Sequence, residues 1–274
     1  MLRQTFDWIA RRSPGLKRRM IKIWYELLVV IDCDRDITFM NYGYSSLDAN
    51  GTKIVLDEAE QSNRYSIQLY RHVAGAIDLK EKKVVEIGSG RGGGASYIAR
   101  HLRPGSMMGI DICKNAVKFC NNYYSIDGLS FTQGDAENIP LADNSVDVVV
   151  NLESSHCYGS MAQFLSEVHR VLSPNGYFLF SDHRDNDQIS LLREQIGNSG
   201  LKLIKQDDIT LNVVKALDLD NDRKQKIIAH KCPRLLKGEA EEFAAIKGTK
   251  TYESFKSGYS RYLSFVLHKE PSPA

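Results

Sequence analysis

Between Val84 and Asp111 the chain spells a strand, a glycine turn, a helix and a second strand that ends on an acid. Val84 and Val85 lead into Glu86-Ile87-Gly88-Ser89-Gly90-Arg91-Gly92-Gly93-Gly94, and a helical pattern follows through Ala95, Ile98, Ala99 and Leu102. Met107–Ile110 reads as the second strand, with Asp111 at its tip. Such a unit binds a nucleoside at the carboxyl ends of two parallel strands. Gly88 turns the chain off the strand, which needs a conformation that side chains disfavour. Gly90 and Gly92 are expected to clear space where a ligand meets backbone, and Asp111 to accept both ribose hydroxyls.

Gly88, Gly90 and Gly93 also satisfy the dinucleotide pattern G-x-G-x-x-G. Glu86 argues against a nicotinamide oxidoreductase, because dinucleotide enzymes usually carry an apolar residue there. A carboxylate suits a ligand with an ammonium group, such as the methionine part of S-adenosylmethionine. The third predicted strand supports the same ligand. It runs into Gly134-Asp135-Ala136-Glu137-Asn138-Ile139-Pro140, where Asp135 can take an adenine amino group while backbone N–H meets a ring nitrogen.

Alternating strand and helix patterns run from Lys83 to about residue 210. Strands are expected at Val84–Gly88, Met107–Asp111, Leu129–Gln133, Val146–Asn151, Tyr177–Asp182 and Leu201–Ile209, and helices at Gly93–Leu102, Lys114–Ser125, Met161–Val171 and Asp187–Ser199. This predicts an α/β, Rossmann-like, doubly wound and mostly parallel seven-stranded sheet. One domain is expected over residues 1–274. It comprises an N-terminal helical cap (1–75), a cofactor-binding core (83–210), a charged helical lid (211–257) and a last strand (258–269). Within the cap, residues 1 to about 35 read as a helical arm with a basic start. Met20–Ile31 is too short an apolar run to span a bilayer, so the arm packs on the domain or touches a membrane or lipid-like substrate.

At 274 residues with a formal charge of +2, nothing global marks a nucleic-acid partner. Cys33, Cys113, Cys120, Cys157 and Cys232 show neither metal-ligand nor disulfide spacing, and read as thiols of a reducing cytoplasm.

The fourth strand ends in Asn151-Leu152-Glu153-Ser154-Ser155-His156-Cys157-Tyr158. A histidine there stands over the reactive end of a nucleoside cofactor, and imidazole is suited to take a proton near neutrality. The fifth strand ends in Ser181-Asp182-His183-Arg184, so Asp182 is placed to orient His156, with His183 as rival base. His169, ahead of the Ser173-Pro174-Asn175-Gly176 turn, reads as structural.

Together these residues resemble the class I S-adenosylmethionine-dependent methyltransferases. Glu86-x-Gly88-x-Gly90-x-Gly92, Asp111, Gly134-Asp135-Ala136 and Leu172-Ser173-Pro174-Asn175-Gly176 look like that superfamily's motifs in order. The chain is more closely similar to the phthiotriolone/phenolphthiotriolone dimycocerosates methyltransferases and related natural-product O-methyltransferases. That likeness rests on Gly92–Tyr97, Asp135–Pro140, Glu153–Tyr158 and Asn63-Arg64-Tyr65. Ser89 and Arg91 depart from the Cys and His often seen in such glycine turns.

The resemblance implies S-adenosyl-L-methionine as cofactor, S-adenosyl-L-homocysteine as product, and a small hydroxylated natural product, polyketide or lipid as acceptor. It implies cofactor contacts from Glu86, Gly88, Gly90, Gly92, Asp111, Ile112, Asp135, Ala136, Asn151 and Tyr42, with Tyr44, Tyr158 and His183 in the acceptor pocket. His156 and Asp182 are expected to handle the proton without a metal. A homodimer is compatible with this reading. A C-methyltransferase and a cyclase that keeps the methyl group are the alternatives.

Overall fold

The computed structural model describes residues 37–48 and 54–271; the N-terminal arm and Cys33 lie outside them. Seven strands form one sheet in the order β3-β2-β1-β4-β5-β7-β6. They are β1 (Lys83–Ile87), β2 (Ser106–Asp111), β3 (Leu129–Gln133), β4 (Val146–Leu152), β5 (Leu172–Asp185), β6 (Lys202–Asp208) and β7 (Ser260–His268). The first five are parallel to one another. β7 inserts antiparallel between β5 and β6. The strand order runs outward in opposite senses from β1 and β4, and ligands bind at such switch points.

Strand alternation separates two cores. Val84, Val148 and Val150 face α1 (Arg64–Ala74), α2 (Gly93–Tyr97) and α3 (Lys114–Tyr123). Val85, Val149 and Phe178 face α4 (Met161–Val171) and α5 (Asn186–Gly197). α1 continues a 3₁₀ segment, Glu58–Asn63, and α2 runs into a wider π-type turn, Ile98–Leu102. α4 starts where Ser160 accepts the Gln163 N–H through its hydroxyl, the usual relief of an orphan helix N–H.

The fifth strand begins earlier than the sequence suggests. Leu172 pairs with Val146 ahead of a bulge, and Asn175 turns at φ 66° before Tyr177 resumes pairing. Lys269 secures this turn through Nζ bonds to the carbonyls of His169 and Leu172.

Before β7 come α6 (Thr210–Lys231), α7 (Lys237–Phe243) and α8 (Lys250–Lys256), in the segment expected from the sequence to form a lid. Val213 and Leu217 of α6 and Tyr252 and Phe255 of α8 join the first core. Among the described residues no helix is long and apolar enough to cross a membrane.

α1 approaches α2 through a glycine. A Cβ on Gly94 would stand 1.9 Å from Tyr70 Cζ, and Tyr70 is buried. The phenol cannot swing aside without breaking its 2.6 Å bond to Glu86. Gly94→Ala should cost about 1–3 kcal/mol, the range for overpacked cores. Urea titration should show a lower midpoint with an unchanged slope.

Candidate active site

Two cavities meet at the carboxyl ends of β1, β2, β4 and β5. The first is lined by Gly88, Gly90, Asp111, Ile112, Asp135 and Ala136, with Asn41 and Tyr158 among its other walls. The second is lined by Tyr42, His156 and His183 and by residues of α7 and α8 including Phe243 and Phe255. Met40 and Glu153 line both, so they stand at the junction.

In the first cleft the backbone anchors Asp111. Oδ2 accepts the Gly90 N–H at 2.8 Å and Oδ1 the Cys113 N–H at 2.8 Å. Asp135 is similarly fixed by the Glu137 N–H at 2.9 Å. Gly88 sits at φ 76°, and a Cβ there would fall 2.3 Å from Ser154 Oγ. An acid at the tip of β2, a second at the tip of β3 and a bare glycine turn fit an adenosine-bearing ligand. The buried amide of Asn41, also in this lining, has neither side-chain atom hydrogen-bonded, as a polar ligand site requires.

Several of the expected cofactor and acceptor residues lie elsewhere than in the linings expected for them. Glu86 is fully buried but does not line the cleft. Alternation points it away from Val85 and Ile87, under α1 and α2, where it accepts the Tyr70 hydroxyl. Burial, joined by the charge of Asp111, pushes its carboxyl up to about 8. Gly92 faces side chains rather than ligand, since a Cβ there would meet Phe131, Tyr124 and Cys120.

Asn151 is wholly buried, and its Nδ2 donates to the Ile87 carbonyl at 2.8 Å and lies 2.8–2.9 Å from the hydroxyls of Ser154 and Tyr158. It braces the loop from behind. Tyr42 lines the second cavity, not the cofactor cleft, and Tyr158 the reverse. Tyr44 touches neither; its ring stacks on His72 at 4.6 Å.

In the second cavity the structure brings His156, Asp182 and His183 together. Asp182 is completely buried at the end of β5. Its Oδ1 lies 2.9 Å from His156 Nδ1 and accepts the His183 N–H at 2.8 Å. Its Oδ2 accepts the Ser155 hydroxyl and the His156 N–H, and pairs with Arg184 at 3.1 Å. The two imidazole rings stand 4.4 Å apart. These three side chains have metal-ligand proximity, with donor atoms within 4.8 Å of one another. Five protein donors already crowd the carboxylate, which suits a fixed anion better than a metal ligand.

The sequence reading missed Glu153. It follows β4 at φ 51°, a backbone region that costs a non-glycine residue energy and recurs at functional sites. Its Oε2 accepts the Tyr42 N–H and the Tyr262 hydroxyl, both at 2.9 Å. Burial pushes it up to about 7. The signal available was an acid directly after the buried strand, read only as part of a likeness.

A family profile described as a methyltransferase domain matches residues 85–180. A fatty-acid O-methyltransferase of Mycolicibacterium smegmatis is 36% identical, over 86% of this chain and 85% of that protein. A phthiotriol/phenolphthiotriol dimycocerosates methyltransferase of Mycobacterium tuberculosis is 32% identical, over 97% of this chain and 98% of its own length. This chain belongs to the class I S-adenosylmethionine-dependent methyltransferases, and S-adenosyl-L-methionine is its cofactor. The fold extends to distant structures. The [4+2]-cyclase SpnF superposes with a TM-score of 0.69 at 16% identity, covering 92% of this chain and 96% of that one.

The two histidines carry opposite charge preferences. Burial lowers His156, but Cys157 and Asp182 together outweigh it and hold the imidazolium well above the usual histidine range. Burial, the charge of His156 and that of Arg184 push His183 down to about 3, against the pull of Asp182. Histidine NMR should therefore find His156 losing its proton above pH 6.5 while His183 stays neutral through the whole neutral range. In Asp182→Asn the His156 midpoint should fall, because the carboxylate that favoured the cation is gone.

Proposed function

We propose that this protein methylates a hydroxyl oxygen of a lipid-like natural product or polyketide, with His156 as general base and Asp182 as its partner. The observation that carries the reading is the pair of cavities joined at Met40 and Glu153. One is bordered by acids suited to a nucleoside, and the other holds an imidazole among aromatic walls. The related proteins support the acceptor class, since their names specify a fatty acid and phthiotriol or phenolphthiotriol dimycocerosates.

Asp111 would hold the ribose diol, Ile112 and Ala136 the adenine faces and Asp135 its amino group. The sulfonium methyl is activated when the cofactor is bound, so the protein must align the acceptor, exclude water and take a proton. The Nδ1–H of His156 donates to Asp182, which leaves Nε2 to accept the acceptor's proton. Tyr42, Phe255 and His183 pack within 5.3–5.7 Å of one another, centroid to centroid, and form an aromatic wall for an apolar acceptor. His183, with a pKa of about 3, is a poor base at neutrality and serves as part of that wall.

Cofactor affinity should depend on Asp111. Charge-assisted hydrogen bonds contribute roughly 1.5–3 kcal/mol each. Asp111→Ala should weaken S-adenosylhomocysteine binding by at least about tenfold in calorimetry. Unchanged affinity would remove Asp111 from the site.

The acceptor reading is tested by incubating the enzyme with S-adenosylmethionine and a panel of long-chain alcohols, phenols and polyketide alcohols. S-adenosylhomocysteine and an O-methyl product are expected, and turnover should persist in EDTA. His156→Ala should lower the rate by at least about a hundredfold, the lower bound for general-base assistance, with cofactor affinity nearly unchanged. Asp182→Asn should cost less. The wild-type rate should rise with pH across a midpoint above 6.5, because His156 acts only after losing its proton, and that limb should vanish in His156→Ala. Methylated carbon in the product favours the C-methyltransferase. Acceptor turnover without S-adenosylhomocysteine favours the cyclase.

A further inference from the structure

The segment Thr38–Tyr42 crosses the glycine turn as a strap. The Gly93 N–H donates to the Thr38 carbonyl at 3.2 Å. A Cβ on Gly90 would stand 2.7 Å from Met40 Cε, and one on Gly93 would stand 2.5 Å from the Thr38 oxygen. The strap is pinned further along. Glu153 accepts the Tyr42 N–H, the Tyr44 N–H donates to the Tyr65 carbonyl, and Ser45 exchanges bonds with Asn212 of α6.

Asn41 lies at the centre of this strap and lines the cofactor cleft. It is 8% exposed, and neither Nδ2 nor Oδ1 has a hydrogen-bond partner. A buried amide left unpaired is costly, and such groups in folded proteins call for an explanation. Ser89 also lines the cleft, but its Oγ is within 2.8 Å of where a Cβ on Gly109 of β2 would stand. Arg91, another lining residue, holds its guanidinium 4.0 Å from the Phe119 ring centroid. Glu86 Oε2 and Asn151 Oδ1 belong to residues outside the cleft lining.

Asp111, Asp135 and Ala136 form the part of the cleft suited to a nucleoside. Asn41 follows Met40, which lines both cavities, and precedes Tyr42, whose N–H bonds Glu153 at the junction, so the strap borders the cleft on the side toward the second cavity, where the cofactor's amino acid is expected. A side-chain amide has an acceptor and two donors, which matches a zwitterion carrying an ammonium and a carboxylate on one carbon.

We propose that Asn41 reads the amino-acid end of S-adenosylmethionine, its Oδ1 accepting from the ammonium and its Nδ2 donating to the carboxylate. This rests on the assignment of the first cleft to that cofactor. Glu153 is then a positioning residue, since it holds the peptide next to Asn41 while also lining the acceptor cavity.

The test is calorimetry with two ligands that share the nucleoside. S-adenosylhomocysteine carries the amino acid, and 5′-methylthioadenosine lacks it. Asn41→Leu should weaken the first by at least about tenfold, one lost hydrogen bond to a charge, and leave the second within about twofold. Asn41→Asp, nearly isosteric, covers the case in which the leucine variant does not fold. It should repel the ligand carboxylate, and therefore bind decarboxylated S-adenosylhomocysteine more tightly than S-adenosylhomocysteine, reversing the wild-type order. Unchanged S-adenosylhomocysteine affinity in Asn41→Leu, or equal losses for both ligands, overturns the assignment of Asn41 alone. Wild-type protein that binds neither ligand overturns the cofactor site itself.

Discussion

The buried charge of Asp182 organises the reactive half of the molecule. A carboxylate with no solvent contact survives only when opposite charge and hydrogen bonds surround it. Here the donors come from two places: His156 and Ser155 on the loop after β4, and His183 and Arg184 on β5 itself. Arg184 also donates to the Ser155 hydroxyl at 2.7 Å, closing the ring of contacts. The loop is thus fixed to the neighbouring strand by charge as well as by the Glu153–Ser181 backbone bond. Arg184 supplies one opposite charge to Asp182, and the His156 imidazolium, whose Nδ1 faces the carboxylate, supplies a second. Cys157 and Asp182 together favour that cation, while burial and the cation itself disfavour protonation of His183.

The parts of this arrangement that follow strand periodicity were readable from the sequence. Asp111, Asp135 and His156 stand directly at or after strand tips, and a parallel sheet collects those tips on one edge. Asp182 was readable for the same reason, because the order of β4 and β5 makes their carboxyl ends neighbours. The placement of Glu86 was not legible because its motif position says nothing about direction. It lies one residue out of phase with Ile87, and the pleat turns it beneath the glycine turn rather than toward the ligand. Gly92 has a similar history: its left-handed conformation is needed, but the space it leaves is filled by Phe131, Tyr124 and Cys120.

The aromatic segment 39–44 was harder to read, because irregular backbone carries no period. Tyr42 and Tyr44 differ by two residues and look equivalent in sequence. The bond from the Tyr44 N–H to the Tyr65 carbonyl sends the second ring toward His72, while the Glu153 carboxylate holds the first beside Phe255. The fifth strand shows the opposite failure. Its Ser-Pro-Asn-Gly turn looks like an end, yet Asn175 adopts a left-handed turn and pairing spans it.

Glu153 ties these observations together. Its carboxylate is shared between an N–H of the strap and a hydroxyl of β7, while its own N–H is bonded to β5. Strap, sheet and both cavities therefore converge on one residue held at an unfavourable backbone angle. One oxygen with two lone pairs accepts both bonds, while burial pushes the carboxyl toward its neutral form. Tyr262 adds a second link, because its backbone accepts the Ile209 N–H at the start of α6. α6 is thereby connected through β7 to Glu153, and Glu153 to the strap that carries Asn41. The linings of the two cavities are thus joined by adjacent hydrogen bonds on one carboxylate oxygen.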